Sequence, residues 1–174
     1  VARMSSISVG AMLVDLGLEP VIQMTVRDRN RIAIQADLFG AWALGARNLL
    51  CLTGDHMTFG NHPEAKGVYD MDSIQFLRVM REMGEKGIAE CGDELEGAPS
   101  FFLGAAANPF APPYEYRPYR LAKKVQAGAK FIQTQCIYNI PRFKEYMQRA
   151  GDLGLLDDVY VLAGVTPLKS TGMA

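Results

Sequence analysis

Two periodicities share this chain. Helix-spaced apolar faces alternate with short apolar runs that have no room for a polar outer side. Residues 5–16 set Ile7, Val9, Met12, Leu13 and Leu16 on one helical face that ends at Gly17. After Pro20, residues 21–25 read as a strand with Gln23 and Thr25 on a common face, since side chains two apart in a strand point the same way. Asp28 or Asn30 can cap a helix over residues 31–44, with Ile32, Ile34, Leu38, Phe39 and Trp42 as apolar positions and Gly45 as its stop. The run from Asn48 through Leu52 then ends in Thr53-Gly54-Asp55, as a strand buried on both faces would.

The same alternation continues. A polar loop over residues 56–66 leads to a helix capped by Asp72, carrying Ile74, Leu77, Val79, Met80 and Met83 and ending near Gly84. Residues 85–99 are acidic and read as a surface excursion. A strand over 101–107, a Pro-rich loop over 108–118, a helix over 119–127 and a strand over 131–135 follow. A helix over 141–153 and a strand over 159–164 complete the pattern, and Thr166-Pro167 reads as the start of another helix. Strand and helix thus repeat five times, and the segment Gly45-Ala46-Arg47-Asn48-Leu49 is echoed by Gly128-Ala129-Lys130-Phe131-Ile132. Repetition of this kind predicts an α/β fold with a parallel sheet.

No glycine-rich dinucleotide or phosphate-loop signature follows any strand. Polar residues stand at every strand end instead: Gln23 and Thr25, Thr53 and Asp55, Asn108, Thr134 and Gln135, Thr166. An open sheet concentrates its site at one switch point, whereas a (β/α)8 TIM barrel gathers all its strand ends around one mouth, so the distribution favours the barrel. A whole barrel takes about 250 residues. The chain of 174 residues is therefore expected to be one partial barrel domain over 1–174, missing its first strands and its C-terminal units. Val1 in place of Met, and a last segment without cap or tail, agree with an internal piece of a longer chain.

Composition narrows the classes. With 49% hydrophobic residues, 21% charged residues and a net charge of −1, the chain suits a globular domain with no general attraction for nucleic acid or anionic membrane. No apolar run approaches a membrane span, and Cys51, Cys91 and Cys136 form no zinc or redox pattern, so reduced thiols in a cytoplasmic setting are expected.

The candidate chemistry is sparse. Asp55 is either a loop anchor or a working carboxylate, and at a barrel mouth it can accept hydrogen bonds from an amino-pyrimidine edge. Gln135, after Thr134, is either a core amide or a donor–acceptor pair for a fused nitrogen heterocycle. Lys123 and Lys124 form a solvated helix face or, with Arg117 and Arg120, a cradle for a phosphate or a glutamate carboxylate. Tyr114, Tyr116 and Tyr119 shape the Pro-rich loop or flank a flat ring. His56 and His62 lack metal-ligand spacing, and neither a glycosidase carboxylate pair nor a nucleophile elbow is present.

Several short motifs in register carry a resemblance. Gly17 to Thr25, Cys51-Leu52-Thr53-Gly54-Asp55, Gly104-Ala105-Ala106-Ala107-Asn108-Pro109, Gln126-Ala127-Gly128-Ala129 and Gln133-Thr134-Gln135 occur in the order seen in methylenetetrahydrofolate reductases, over residues 16–168. The resemblance implies a (β/α)8 barrel with a flavin at its C-terminal mouth, passing hydride to methylenetetrahydrofolate to give methyltetrahydrofolate. It implies that Asp55 lies near flavin and pterin, that Gln135 contacts the folate, and that Thr25, Tyr69, Ala106 and Lys124 contact the flavin, with Arg120 and Lys123 beside them. Gln23, Thr53, Gly54 and Asn108 fall at further flavin positions, where many relatives carry His for Gln23, Arg for Thr53 and Tyr for Asn108. FAD is favoured over FMN, and the electron donor is NADH, NADPH or a partner protein. The family's proton-donating glutamate lies on a strand outside this sequence. Assembly as a homo-oligomer or as a subunit of a redox complex is expected. Two other readings stand beside it: a non-catalytic flavin- or folate-binding subunit of a larger one-carbon redox complex, and a different barrel enzyme with a phosphate-bearing substrate.

Overall fold

The computed structural model describes residues 2–170. Five helices and five strands alternate: α1 (Ser6–Asp15), β1 (Val21–Thr25), α2 (Arg31–Ala43), β2 (Asn48–Leu52), α3 (Ser73–Lys86), β3 (Phe102–Ala107), α4 (Arg117–Ala127), β4 (Phe131–Cys136), α5 (Ile140–Asp152) and β5 (Tyr160–Gly164). The strands form one sheet in the order β1-β2-β3-β4-β5, and every adjacent pair is parallel. Strands added always on the same side, with crossovers of one hand, bring their helices to one face, and the order contains no switch point of the doubly wound kind.

That asymmetry is visible in burial. Ile22 and Met24 of β1, Leu49 and Cys51 of β2, Leu103 and Ala105 of β3 and Ile132 of β4 pack with Ile34, Leu38, Phe76, Leu77, Met80 and Leu121 into a single core. The opposite face is half bare: Val21, Phe102, Tyr160 and Leu162 are 44%, 41%, 73% and 52% exposed, and Gln23, Gln133 and Gln135 stand among them. On this face Gln23, Leu50, Gly104, Phe131 and Tyr160 fall in one cross-sheet row. The Phe131 ring lies directly over Gly104, where an added Cβ would overlap it, and stacks on Phe102 at 5.6 Å. Gly104 is therefore the floor under an aromatic cluster.

Element boundaries depart from the sequence reading in three places. Helix α3 runs through Gly84 to Gly87, which takes a left-handed φ of 66°. Gly84 serves a close approach instead of a stop, since a Cβ there would lie 3.2 Å from the Ser100 backbone. Helix α4 opens two residues early, at Arg117, with Pro118 in the first turn, where its missing N–H goes unmissed. The helix expected from Thr166-Pro167 is not formed through Ser170, and residues 171–174 lie outside the described residues.

Capping is resolved as well. Asn30, not Asp28, caps α2 by accepting from Ala33 N, and Asp72 makes a full capping box with Gln75. The acidic segment after α3 folds into a small antiparallel bridge between Ile88 and Glu94, and Glu90 reaches back to Arg31 at 2.8 Å.

One irregularity matters for the site. Between β4 and β5 the pairing steps from Gln133↔Leu162 to Cys136↔Gly164, so β4 carries an extra residue, a bulge. Thr134 turns its Oγ1 inward there and accepts from Gly164 N at 2.9 Å.

Candidate active site

Strands β1, β3 and β4 end in polar or small residues, Thr53 follows the last residue of β2, and cavities open at that end of the sheet. The first, about 160 Å3, lies between the ends of β3 and β4 and the helices α4 and α5. Ala106, Asn108, Arg120, Lys124, Gln135 and Tyr146 line it. Lys124 is only 9% exposed, and its Nζ donates to the Ala106 carbonyl. Burial first, then the neighbouring Arg120 charge, push its pKa down to about 8; Asp72 opposes them, and Arg117 adds a smaller downward push. Among the described residues no carboxylate lies within ion-pair distance of Arg117, Arg120 or Lys124.

Arg117 also faces this cavity, held by its Nε and Nη2 donating to the Ala111 and Pro112 carbonyls at 2.6 Å each. Tyr146 of α5 is 5% exposed, and its Oη has no hydrogen-bond partner. Burial pushes its pKa up to about 12, so the phenol keeps its proton. Asn108 accepts from Phe110 N and shapes the loop.

The second cavity, about 420 Å3, opens beyond β1 and β2 and holds Asp55, Arg27, Asp28 and His56. Gly54 takes φ 89°, and a Cβ there would stand 3.0 Å from Arg27 and 3.1 Å from Thr25, so only glycine lets the Asp55 loop lie this close to β1. Arg27 Nη1 donates to the Asp55 carbonyl, and Arg27 pairs with Asp28 at 2.7 Å. That hydrogen bond from Arg27 holds the Asp28 carboxyl below the usual range. Thr25 Oγ1 donates to Asp28, while Tyr69, at φ 45°, sets its hydroxyl 3.4 Å from the Asp55 carbonyl. The Asp55 carboxylate itself is exposed.

The expected site residues therefore divide. Thr25, Gly54, Asp55 and Tyr69 gather at the β1–β2 mouth, and Ala106, Asn108, Arg120, Lys124 and Gln135 at the β3–β4 mouth. Gln23 is exposed on the bare sheet face, one pleat below Thr25. Thr53 Oγ1 is engaged by Ser73 N, a structural bond across to α3. Lys123 turns away from its neighbour: its Nζ donates to the Tyr116 hydroxyl at 3.0 Å and does not line the cavity. Sequence reasoning passed over Arg27 and Tyr146. Arg27 follows directly on the strand-end Thr25 and Val26, which was a usable signal; Tyr146 looks like any core aromatic of an amphipathic helix.

The methylenetetrahydrofolate reductase family model matches residues 1–174. The chain belongs to this family. It is 26% identical over 166 residues to a probable methylenetetrahydrofolate reductase (NADPH) of Caenorhabditis elegans, covering 94% of this chain and 23% of that protein. It is 27% identical over 163 residues to methylenetetrahydrofolate reductase 2 of Schizosaccharomyces pombe, covering 87% and 23%. The chain thus spans about a quarter of the length of these curated relatives. Membership in the methylenetetrahydrofolate reductase family agrees with the α/β architecture and its single parallel sheet. Among the described residues no helix is long and apolar enough to cross a membrane, and no group of three or more His, Cys, Asp or Glu side chains could hold a metal ion.

Proposed function

We propose that this chain is part of a flavin-dependent oxidoreductase that reduces 5,10-methylenetetrahydrofolate to 5-methyltetrahydrofolate. One observation carries the reading: in a chain matched by this family over its whole length, an exposed carboxylate and an unpaired cation cluster occupy neighbouring strand ends of one parallel sheet. The residues present fit a flavin. Lys124, Arg120 and Arg117 line a cavity whose wall holds no carboxylate, which is the cationic donor set a phosphoryl group requires.

A bound flavin supplies the hydride. The chain's own residues bind and orient. Arg120 and Lys124 hold the cofactor's phosphoryl oxygens, FAD being favoured over FMN, with Ala106 and Asn108 as the backbone wall beside them. Thr25, Gly54 and Tyr69 shape the β1–β2 mouth, with Gln23 and Thr53 beside it. Asp55 accepts from the amino-pyrimidine edge of the pterin, and the Gln135 amide donates to and accepts from the same ring system. Fixing the pterin in this way supplies rate through orientation, not through proton transfer. Reducing equivalents come from NADPH, the donor in one relative's name, from NADH, or from a partner protein.

The half-bare face of Val21, Phe102, Tyr160 and Leu162 is read as the lumen of a (β/α)8 barrel to which residues 1–174 contribute one partial domain. The test is direct. The intact protein should be yellow with a flavin absorbance spectrum, and Asp55→Asn should slow folate reduction by about tenfold or more while leaving flavin oxidation by an artificial acceptor unchanged. A colourless protein would sink the proposal, and wild-type rates in Asp55→Asn would remove Asp55 from it.

A further inference from the structure

Loop residues 67–70 run past the β1–β2 mouth as a strap, tied on both sides of Tyr69 to the segment that joins β1 to α2. On one side Val68 N donates to the Arg27 carbonyl at 2.7 Å. On the other, the Asp70 carboxylate accepts from the Arg31 backbone N–H at 3.0 Å. It also accepts from two arms of the Arg31 guanidinium, Nε at 2.9 Å and Nη2 at 3.2 Å. The remaining arm, Nη1, donates to Glu90 at 2.8 Å, and Glu90 N donates to Gln35 Oε1 at 3.0 Å. Arg31 therefore joins the strap, the first turn of α2 and the acidic excursion after α3. A lysine in its place would offer a charge but no such fork.

Held between these ties, Tyr69 takes φ 45° and is the only non-glycine residue with a positive φ among the described residues. A side chain in that region crowds its own backbone, and the conformation persists only where its surroundings fix it. The consequence reaches the site. Tyr69 Oη lies 3.4 Å from the Asp55 carbonyl, the same oxygen that accepts from Arg27 Nη1 at 3.1 Å.

We infer that the Arg31–Asp70 fork is a positioning device that seats the strap, with Tyr69 in its left-handed conformation, and so presets the Asp55 loop for its ligand. The inference rests on the reading of that mouth as the pterin site and adds to it two residues that act through Tyr69. Both side chains are partly exposed, 47% and 31%, and an ion pair so placed contributes little to global stability. Its effect is local. Without the fork the strap relaxes toward an ordinary backbone conformation, and only a fraction of molecules keeps the mouth in its binding form. Apparent affinity falls by that fraction, while saturating ligand draws the mouth back and leaves the bound complex unchanged.

The test compares the intact protein as wild type, Arg31→Met, Asp70→Ala and the double variant, by hydrogen exchange, melting and the kinetics of folate reduction per bound flavin. The Val68 amide donates to Arg27 and not to the fork, so it reports the strap without being touched by either substitution. In Arg31→Met without folate it should exchange roughly tenfold faster, with the β1 and β2 amides unchanged. KM for methylenetetrahydrofolate should rise roughly three- to tenfold, with kcat within about twofold of wild type and the melting temperature nearly unmoved. Asp70→Ala should shift KM at least as far, and the double variant no further than Asp70→Ala, because one interaction is removed twice. Unchanged Val68 exchange in Arg31→Met, or faster exchange at unchanged KM, would overturn the inference. A fall in melting temperature and kcat at unchanged KM would also overturn it, marking a purely structural pair. Faster Val68 exchange in a protein whose wild type reduces no folate would uphold the fork's hold on the strap while removing the folate reading.

Discussion

Replacing Lys124 by Met tests the electrostatics of the α4 cavity without reference to any ligand. The amine is 9% exposed and its pKa is lowered from 10.5 to about 8. In the unfolded chain it titrates near its ordinary value, so between these two pKa values the unfolded state binds more protons and stability must rise with pH. Below about pH 7 the amine is charged in both states and contributes no slope. A tenfold change in proton affinity is worth about 1.4 kcal/mol, so the full effect is about 3 kcal/mol, and most of it develops between pH 7 and pH 10. The groups that set this value are the desolvating walls, Arg120, Arg117 and, in opposition, Asp72. Tyr146, which faces the same space, stays protonated until about pH 12 and adds no slope there.

Urea midpoints at pH 7 and pH 10, for wild type and Lys124→Met without ligand, give the difference of differences. Other groups that titrate in this range cancel, and the lost hydrogen bond to Ala106 enters as a near-constant offset. Wild type should gain about 2–3 kcal/mol more than the variant across this interval. Adding pyrophosphate should flatten the wild-type slope, because a bound anion raises the amine's pKa again. Parallel slopes in the two proteins would mean that Lys124 is solvated and the cavity does not crowd cations.

Other consequences are simpler. Gly104→Ala drives a methyl into the Phe131 ring, so the Phe102–Phe131 stack must shift; a loss of about 1–3 kcal/mol in chemical denaturation is expected, largely recovered by a second change, Phe131→Leu. Asp72→Ala removes the acceptor of the Ile74 and Gln75 amides, each 2.8 Å away, and should cost about 1 kcal/mol, with faster hydrogen exchange confined to the first turn of α3.

What was legible in the sequence followed from strong local signals. The two-sided apolar run at Leu49 to Leu52 could be little but a buried parallel strand, and Asp72 was legible as the cap of α3, though not the box that Gln75 completes. Gly84 misled because a glycine near a helix end has two uses, and only the packing of Ser100 shows which applies. Lys123 and Lys124 read as one basic pair, yet neighbours on a helix point about 100° apart. One is buried at the cavity and the other bonds Tyr116 outside it. Arg27, just past the strand-end Thr25, carried a local signal, but its bond to the Asp55 carbonyl did not; Tyr146 looks like any core aromatic of an amphipathic helix.

The bulge in β4 has a consequence for how function would map onto sequence. An added Cβ at Gly164 would strike Thr134 O at 2.7 Å and Gln135 O at 3.0 Å, so β5 can seat beside the bulge only where it carries glycine. The aim of the Gln135 amide is thus decided partly by a residue on the next strand that has no side chain to offer a ligand. A mutational scan scored for folate turnover would mark Gly164 as though it belonged to the pocket. Relatives with altered substrate preference could differ at this strand pairing while keeping every contact residue the same.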